Sequence, residues 1–279
     1  LGASSLARNI GVSPMIIGLT IVAMGSSAPE MMVAASASLQ GSPDTAIGNA
    51  IGSNITNIAL VLGLTVLIKP MVISSSIIRQ EIPLVLFLSI LTYLIFYDNF
   101  FAFWEGLILL IGFFTFITTL LIKSLKQRKM HNPDDPMITE AEKELPEATT
   151  NLKSVFWLVV GIVLLVVSAH YLVQSAVFIA KAFGISDLVI GLTVIAIGTS
   201  LPELAASIAS VIKKENDLAL GNIVGSNIFN ILAVLPFAGL IAPGPVNPEA
   251  VARDIPIMIA ITLLLFVLCF SRRFGYFRM

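Results

Sequence analysis

The chain has 279 residues, 57% of them hydrophobic and 12% charged, with mean hydropathy +0.96 and a formal net charge of −1. A soluble domain carries about 25% charged residues, so this composition is that of an integral membrane protein. The charge balance offers no argument for a nucleic-acid partner and none is expected; the one cysteine, Cys269, lies in an apolar run and excludes a disulfide framework or a multi-cysteine metal site.

A membrane-spanning helix needs about 20 apolar residues. On that criterion the sequence predicts eight spans, at 14–39, 45–67, 82–97, 103–122, 154–180, 186–212, 217–241 and 254–271. No cleavable signal peptide is expected. Between the fourth and fifth spans, residues 123–153 are polar and charged and contain Pro133, Pro136 and Pro146. That composition predicts a solvated linker with a short helix near 138–145.

The chain repeats itself. A shift of 173 residues aligns 18–64 with 191–237 without a gap, and 20 of the 47 positions are identical. Residues 1–122 therefore form a first membrane repeat, 123–153 the linker, and 154–279 a second repeat. Lys and Arg residues set the orientation. With the linker in the cytoplasm, 14 of the 16 Lys and Arg residues fall on the cytoplasmic side and only Lys181 and Arg253 outside. The first span then runs inside to outside and its copy, the sixth, runs back. The expected fold is an all-α integral membrane protein of two inverted-topology repeats of about five helices each. Residues 1–8 align with the end of the fifth span and 274–279 with the start of the fourth. Eight full spans are visible, and ten are expected in a complete chain.

Each repeat carries a carboxylate inside an apolar run. The first stretch is Gly25-Ser26-Ser27-Ala28-Pro29-Glu30, and the second Gly198-Thr199-Ser200-Leu201-Pro202-Glu203. A charged side chain at bilayer depth costs about 2.5–3.5 kcal/mol on insertion scales. Pro29 and Pro202 have no N–H, so each frees a carbonyl in the preceding turn. Backbone broken at this depth is tolerated only where it meets protein or a polar cavity. Carboxylates, hydroxyls and freed carbonyls are hard oxygen ligands, suited to Ca²⁺, Mg²⁺ or Na⁺ and not to zinc or copper. The plainer alternative is a pair of structural kinks with protonated glutamates.

A second pair of motifs follows. Gly48-Asn49-Ala50-Ile51-Gly52-Ser53-Asn54-Ile55-Thr56-Asn57 is repeated as Gly221-Asn222-Ile223-Val224-Gly225-Ser226-Asn227-Ile228-Phe229-Asn230. Asn49, Ser53 and Asn57 share a helix face, as do Asn222, Ser226 and Asn230. Their neutral oxygens can complete an ion shell without adding charge, or they can bond helix to helix. Asn54 and Asn227 are expected to point off that face. Asp44 and Asp217 stand at helix starts, where Asp caps free N–H groups. His170 is alone in a span and His131 falls in the linker.

These motifs resemble the alpha repeats of the cation/calcium antiporter family, the sodium/calcium exchangers, and most closely the prokaryotic members with a short central loop. The resemblance implies a central Ca²⁺ site at Ser26, Glu30, Thr199 and Glu203. It implies Na⁺ sites at Ala23, Ser27, Ser53, Ala196, Ser200 and Ser226 with the same glutamates, and polar positions at Asn57 and Asn230. Some family members, including a potassium-dependent branch, have Asp where this chain has Asn230, which weakens the case for potassium.

The function this implies is secondary active antiport, exchanging Na⁺ for Ca²⁺ by alternating access and extruding Ca²⁺ with net charge movement. Ca²⁺ and Na⁺ are then transported substrates, no cofactor is expected, and the setting is a prokaryotic plasma (inner) membrane. A Ca²⁺/H⁺ antiporter is the main alternative and a divalent-cation channel the lesser one. An enzyme is not expected, because no Ser–His pair or H-E-x-x-H motif lies in the spans.

Overall fold

A computed structural model describes residues 14–70, 77–130, 150–184 and 196–271, with isolated positions at 5, 9, 72–73 and 277–278. The expected short helix at 138–145, His131, and the beginning of the sixth predicted span at 186–195 lie outside the described residues.

Proline and glycine write interruptions into helices that are otherwise continuous. The first predicted span is Pro14–Ile17, a π turn at Gly18–Val22, Ala23–Ser26, and then Ala28–Leu39. Its break falls on Ser27, whose φ of −82° and ψ of 9° leave the helical region. Pro29 sits in the first turn of the new helix, where a missing N–H costs nothing. The copy repeats this detail. Ala196–Thr199 ends at Ser200, with φ −86° and ψ 3°, and Leu201–Ile212 starts with Pro202 in its first turn.

The second motifs ride on helices Pro43–Thr56 and Asn216–Phe229. Each passes into a π turn, at Asn57–Leu62 and Asn230–Val234, and resumes as Gly63–Ile68 and Pro236–Ile241. In the second, the Leu235 N–H reaches the carbonyl of Asn230, five residues back, at 2.9 Å. Pro236, next in line, has no N–H to offer, and the wider turn accommodates it. Two further π turns, Ile77–Glu81 and Ala250–Asp254, lead into Ile82–Ile95 and Ile255–Ser271, whose second residues are Pro83 and Pro256.

Four helical runs among the described residues are long and apolar enough to cross a membrane: Pro43–Ile68, Phe103–Ile122, Asn216–Ile241 and Ala250–Cys269. They differ in position. Asn216–Ile241 is 89% buried and forms the axis of the molecule, whereas Phe103–Ile122 is 17% buried and Ala250–Cys269 22%. The outer helices turn Phe87, Leu94, Ile108, Ile111, Phe114 and Leu264 outward. An apolar surface so extensive suits lipid and not water. The helix of the fourth predicted span continues to Met130, and the next helix begins at Asn151 and runs to Ala182.

Short antiparallel ribbons tie loops together. Phe100–Phe101 pairs with Gly244–Pro245, and Val72–Ile73 with Phe277–Arg278. Beside the first ribbon, Val246 N–H donates to the Asn99 carbonyl at 2.8 Å and Asn247 N–H to Asp44 at 3.0 Å. Elsewhere Lys69 Nζ reaches the Ile212 carbonyl, at the end of its helix, at 3.5 Å.

Two glycines set how closely the broken helix crosses the axial one. A Cβ on Gly18 would stand 2.7 Å from the Leu218 carbonyl oxygen. One on Gly225 would stand 2.8 Å from Ala23 Cβ and 2.9 Å from Leu19 Cα. Small residues at helix crossings are how membrane helices gain packing area. Gly225→Ala and Gly18→Ala should each destabilise the folded protein by about 1–3 kcal/mol, the usual cost of overpacking. Thermal unfolding in detergent checks this; unchanged midpoints would show that the crossing has slack.

Candidate ion-binding site

The two helix breaks face each other at the centre. Each places its glutamate in the first turn of a new helix, where the partial positive charge of the helix N-terminus favours an anion. Glu30 and Glu203 are both fully buried, and their charges are close enough to interact.

Around Glu203 the hydroxyls have closed in. Its Oε1 accepts from Ser27 Oγ at 3.0 Å and from Ser226 Oγ at 3.3 Å. Ser26 lies next to it. Around Glu30, Thr199 and Ser53 lie alongside, yet neither carboxylate oxygen has a hydrogen-bond partner. Ser53 and Ser200, the counterparts of Ser226 and Ser27 in the repeat, are also without partners at Oγ. The two halves match in sequence and differ in their bonding.

Asparagines bind the halves together. Asn49 Nδ2 donates to the backbone carbonyl of Glu30 at 3.2 Å, and its Oδ1 accepts from Thr199 Oγ1 at 3.5 Å. Asn222 does the same in the other half. It donates to the Glu203 carbonyl at 3.4 Å and to Ser207 Oγ at 3.3 Å, and accepts from Ser26 Oγ at 3.1 Å. One layer away, Asn57 Nδ2 donates to Asn227 Oδ1 and Asn230 Nδ2 to Asn54 Oδ1, each at 3.1 Å.

The structure thus brings together Ser26, Ser27, Glu30, Ser53, Asn57, Thr199, Ser200, Glu203, Ser226 and Asn230, all buried. Ala23 is buried beside them, and its carbonyl accepts from Ser26 Oγ at 3.3 Å and the Ser27 N–H at 2.9 Å. Ala196 opens the short helix that ends at Thr199. Sequence reasoning put Asn49 and Asn222 on the face that can complete an ion shell without assigning them to a site, and set Asn54 and Asn227 off that face. The last two bond helix to helix. A signal existed, since Asn54 and Asn57 are three residues apart and such pairs are neighbours on a helix. A Cβ on Gly25 would stand 2.6 Å from the Ile162 side chain, so this glycine seats the helix Asn151–Ala182.

Among the described residues, ten buried side-chain atoms lack a hydrogen-bond partner, and every one is an oxygen. Seven belong to this cluster: both oxygens of Glu30, Glu203 Oε2, Asn57 Oδ1, Asn230 Oδ1, Ser53 Oγ and Ser200 Oγ. Buried polar atoms in native proteins nearly always have partners, and exceptions need an explanation such as a bound ion. Carboxylate and amide oxygens only accept. What answers to such a set chemically is a cation. No group of three or more His, Cys, Asp or Glu able to hold a metal occurs among the described residues. Two carboxylates amid neutral oxygens suit hard ions such as Ca²⁺ and Na⁺.

Comparison with known proteins agrees with this chemistry. The family model described as sodium/calcium exchanger protein matches residues 2–122 and 153–278. The CaxA protein of Alkalimonas amylolytica is 53% identical over 99% of this chain and 85% of its own length. The sodium/calcium exchanger MaX1 of Methanosarcina acetivorans is 32% identical over 95% of this chain and 84% of its own. The solved structure of the sodium-calcium exchanger NCX_Mj, soaked with 2.5 mM Na⁺ and 0.1 mM Ca²⁺, superposes with a TM-score of 0.80 at 32% identity, over 99% of this chain and 84% of that one. Among bacterial relatives, the inner membrane protein YrbG of Escherichia coli K12 is 41% identical over 97% of this chain and 82% of its own length. The chain is a membrane transporter and not an enzyme, and it belongs to the sodium/calcium exchanger family.

Proposed function

We propose that the protein extrudes Ca²⁺ in exchange for Na⁺ across a prokaryotic inner membrane, with net movement of charge. The observation that carries this reading is the cluster of unpartnered oxygens around Glu30 and Glu203. Ca²⁺ takes Glu30, Glu203, Ser26 and Thr199. Na⁺ ions take the same carboxylates with Ser27, Ser53, Ser200, Ser226 and the backbone of Ala23 and Ala196, while Asn57 and Asn230 supply neutral oxygens. Both ions are cargo, and no cofactor takes part.

Two inverted repeats, 1–122 and 154–279, rock about this centre, as transporters of this architecture do. The distribution of charge supports the orientation with the 123–153 linker in the cytoplasm. Lys69 bonds the carbonyl of Ile212, which brings it beside Lys213 and Lys214. Asp44 meets Asn247 near Glu249 and Asp254, where Arg253 is paired to both acids. Lys69, Lys213 and Lys214 at one end against Arg253 at the other fit the positive-inside rule.

Two carboxylates neutralise one Ca²⁺, whereas three Na⁺ exceed them by one charge. Exchange in that ratio moves one charge per cycle, worth about 2.3 kcal/mol per 100 mV. In vesicles containing the reconstituted protein, an outward Na⁺ gradient should drive Ca²⁺ uptake, and an imposed potential should speed or slow it. K⁺ and pH gradients of equal size should not drive it. Uphill Ca²⁺ movement on a pH gradient alone would make this a Ca²⁺/H⁺ antiporter. Na⁺-driven uptake indifferent to voltage would make the exchange electroneutral, and unitary currents would make the protein a channel.

A further inference from the structure

We propose that Asn54 and Asn227 are positioning residues, each holding an asparagine of the opposite half so that its carbonyl oxygen stays free for a cation. The proposal rests on the reading of Asn57 and Asn230 as ion ligands.

Asn57 and Asn230 end their motifs and head the two π turns. Each has one end of its amide engaged and the other bare. Asn57 Nδ2 is fixed on Asn227 Oδ1, and Asn230 Nδ2 on Asn54 Oδ1, both at 3.1 Å. Asn57 Oδ1 and Asn230 Oδ1 are buried with no partner. An amide is planar, with its donor and acceptor on opposite prongs. Tying the nitrogen to an acceptor therefore decides where the oxygen goes. If either amide turned over, two oxygens would meet at the helix interface and two N–H donors would stand where a cation must pass.

The clamp is itself held. Asn54 Nδ2 points to Met258 Sδ at 3.6 Å, a contact contributed by the helix Ile255–Ser271. A thioether can only accept, so Met258 takes the amino end of Asn54 and leaves its oxygen for Asn230. Asn54, Asn227 and Met258 are all at most 2% exposed, so water does not compete for these bonds. Both clamps run from one half of the chain to the other, separated by 176 and 170 residues.

The test is a pair of double-mutant cycles on the full chain in vesicles, reading the apparent Ca²⁺ affinity of Na⁺-driven uptake of radiolabelled Ca²⁺. Asn54→Ala should weaken affinity about tenfold, the equivalent of a lost hydrogen bond of about 1.4 kcal/mol. Asn230→Ala should do so as well. If Asn54 acts through Asn230, the double variant should be no worse than Asn230→Ala alone. Asn227→Ala should likewise add nothing to Asn57→Ala. Across the pairs, Asn227→Ala combined with Asn230→Ala should be additive. A residue serving only to pack would lower the yield of folded protein and would not give this pattern. Should one variant fail to fold, the other pair forms an independent cycle. Impaired Asn230→Ala with a silent or fully additive Asn54→Ala would overturn the clamp alone. Unchanged affinity in Asn57→Ala and Asn230→Ala would overturn the clamp together with their reading as ligands.

Discussion

Glu30→Gln and Glu203→Gln should each abolish Na⁺-driven Ca²⁺ uptake while leaving the protein folded. Glutamine keeps the length and most of the volume of glutamate, so the packing around two fully buried side chains is preserved. What it removes is one of two negative charges facing a divalent ion. Leaving a buried charge without its partner costs about 3–5 kcal/mol. At about 1.4 kcal/mol per factor of ten, Ca²⁺ affinity falls by roughly two to three and a half orders of magnitude. The folded state should not suffer. Two buried carboxylates repel each other when no cation is bound, and the amide relieves that. At position 203 it also keeps an oxygen for the Ser27 and Ser226 hydroxyls. Size-exclusion profiles and melting midpoints in detergent, taken without Ca²⁺, should match or exceed those of the parent. Vigorous Ca²⁺ uptake by either variant would remove the acids from the centre of the mechanism.

Protons should compete with Ca²⁺ for the same pair. A carboxylate must be deprotonated to bind a metal ion, so each proton that Ca²⁺ displaces makes affinity fall by about tenfold per pH unit on the acid side. The direction is fixed: Ca²⁺ binds more weakly as pH falls through the range in which the emptied pair takes up protons, and alkaline pH relieves this. Glu30 and Glu203 interact, so the profile reports an apparent value for the pair and not for either residue. If the effect is pure competition, saturating Ca²⁺ restores the maximal rate at every pH. A maximal rate that falls with pH at saturating Ca²⁺ would place the sensitive group elsewhere.

Much of this molecule was legible because its chemistry is written twice. Glu30 and Glu203 stood out as charges in apolar runs, and Pro29 and Pro202 located the helix breaks. The structure puts those breaks two residues earlier, at Ser27 and Ser200, because proline belongs in the first turn after a break and not at the break itself. The π turns were not legible. Nothing in Asn57–Leu62 or Asn230–Val234 has a composition that sets it apart from an α-helix; Pro236 follows only the second, and Gly63 follows the first. Asn54 and Asn227, off the four-residue face, bond helix to helix, but their partners were out of reach of the sequence. Bonds across 170 residues or more depend on how two helices cross, and one helix's periodicity carries no information about that. The unequal bonding of Glu30 and Glu203 was equally out of reach, since nearly identical motifs predict nearly identical surroundings.

Five of the bonds that close this centre pass from one half to the other: Ser27 to Glu203, Ser26 to Asn222, Thr199 to Asn49, and the two amide clamps. A half-length chain would carry an acid and lack the partners that reach it from the other half. Such a chain would be inert until a second copy found it, and its activity would rise and fall with its abundance. Joining two copies in one polypeptide replaces that encounter with a tether, whose effective concentration for short flexible linkers is in the millimolar range. It also frees each copy to change alone. Ser207, which accepts from Asn222, already stands where the first half has Ala34, a difference that a paired half-gene could not have kept on one side only.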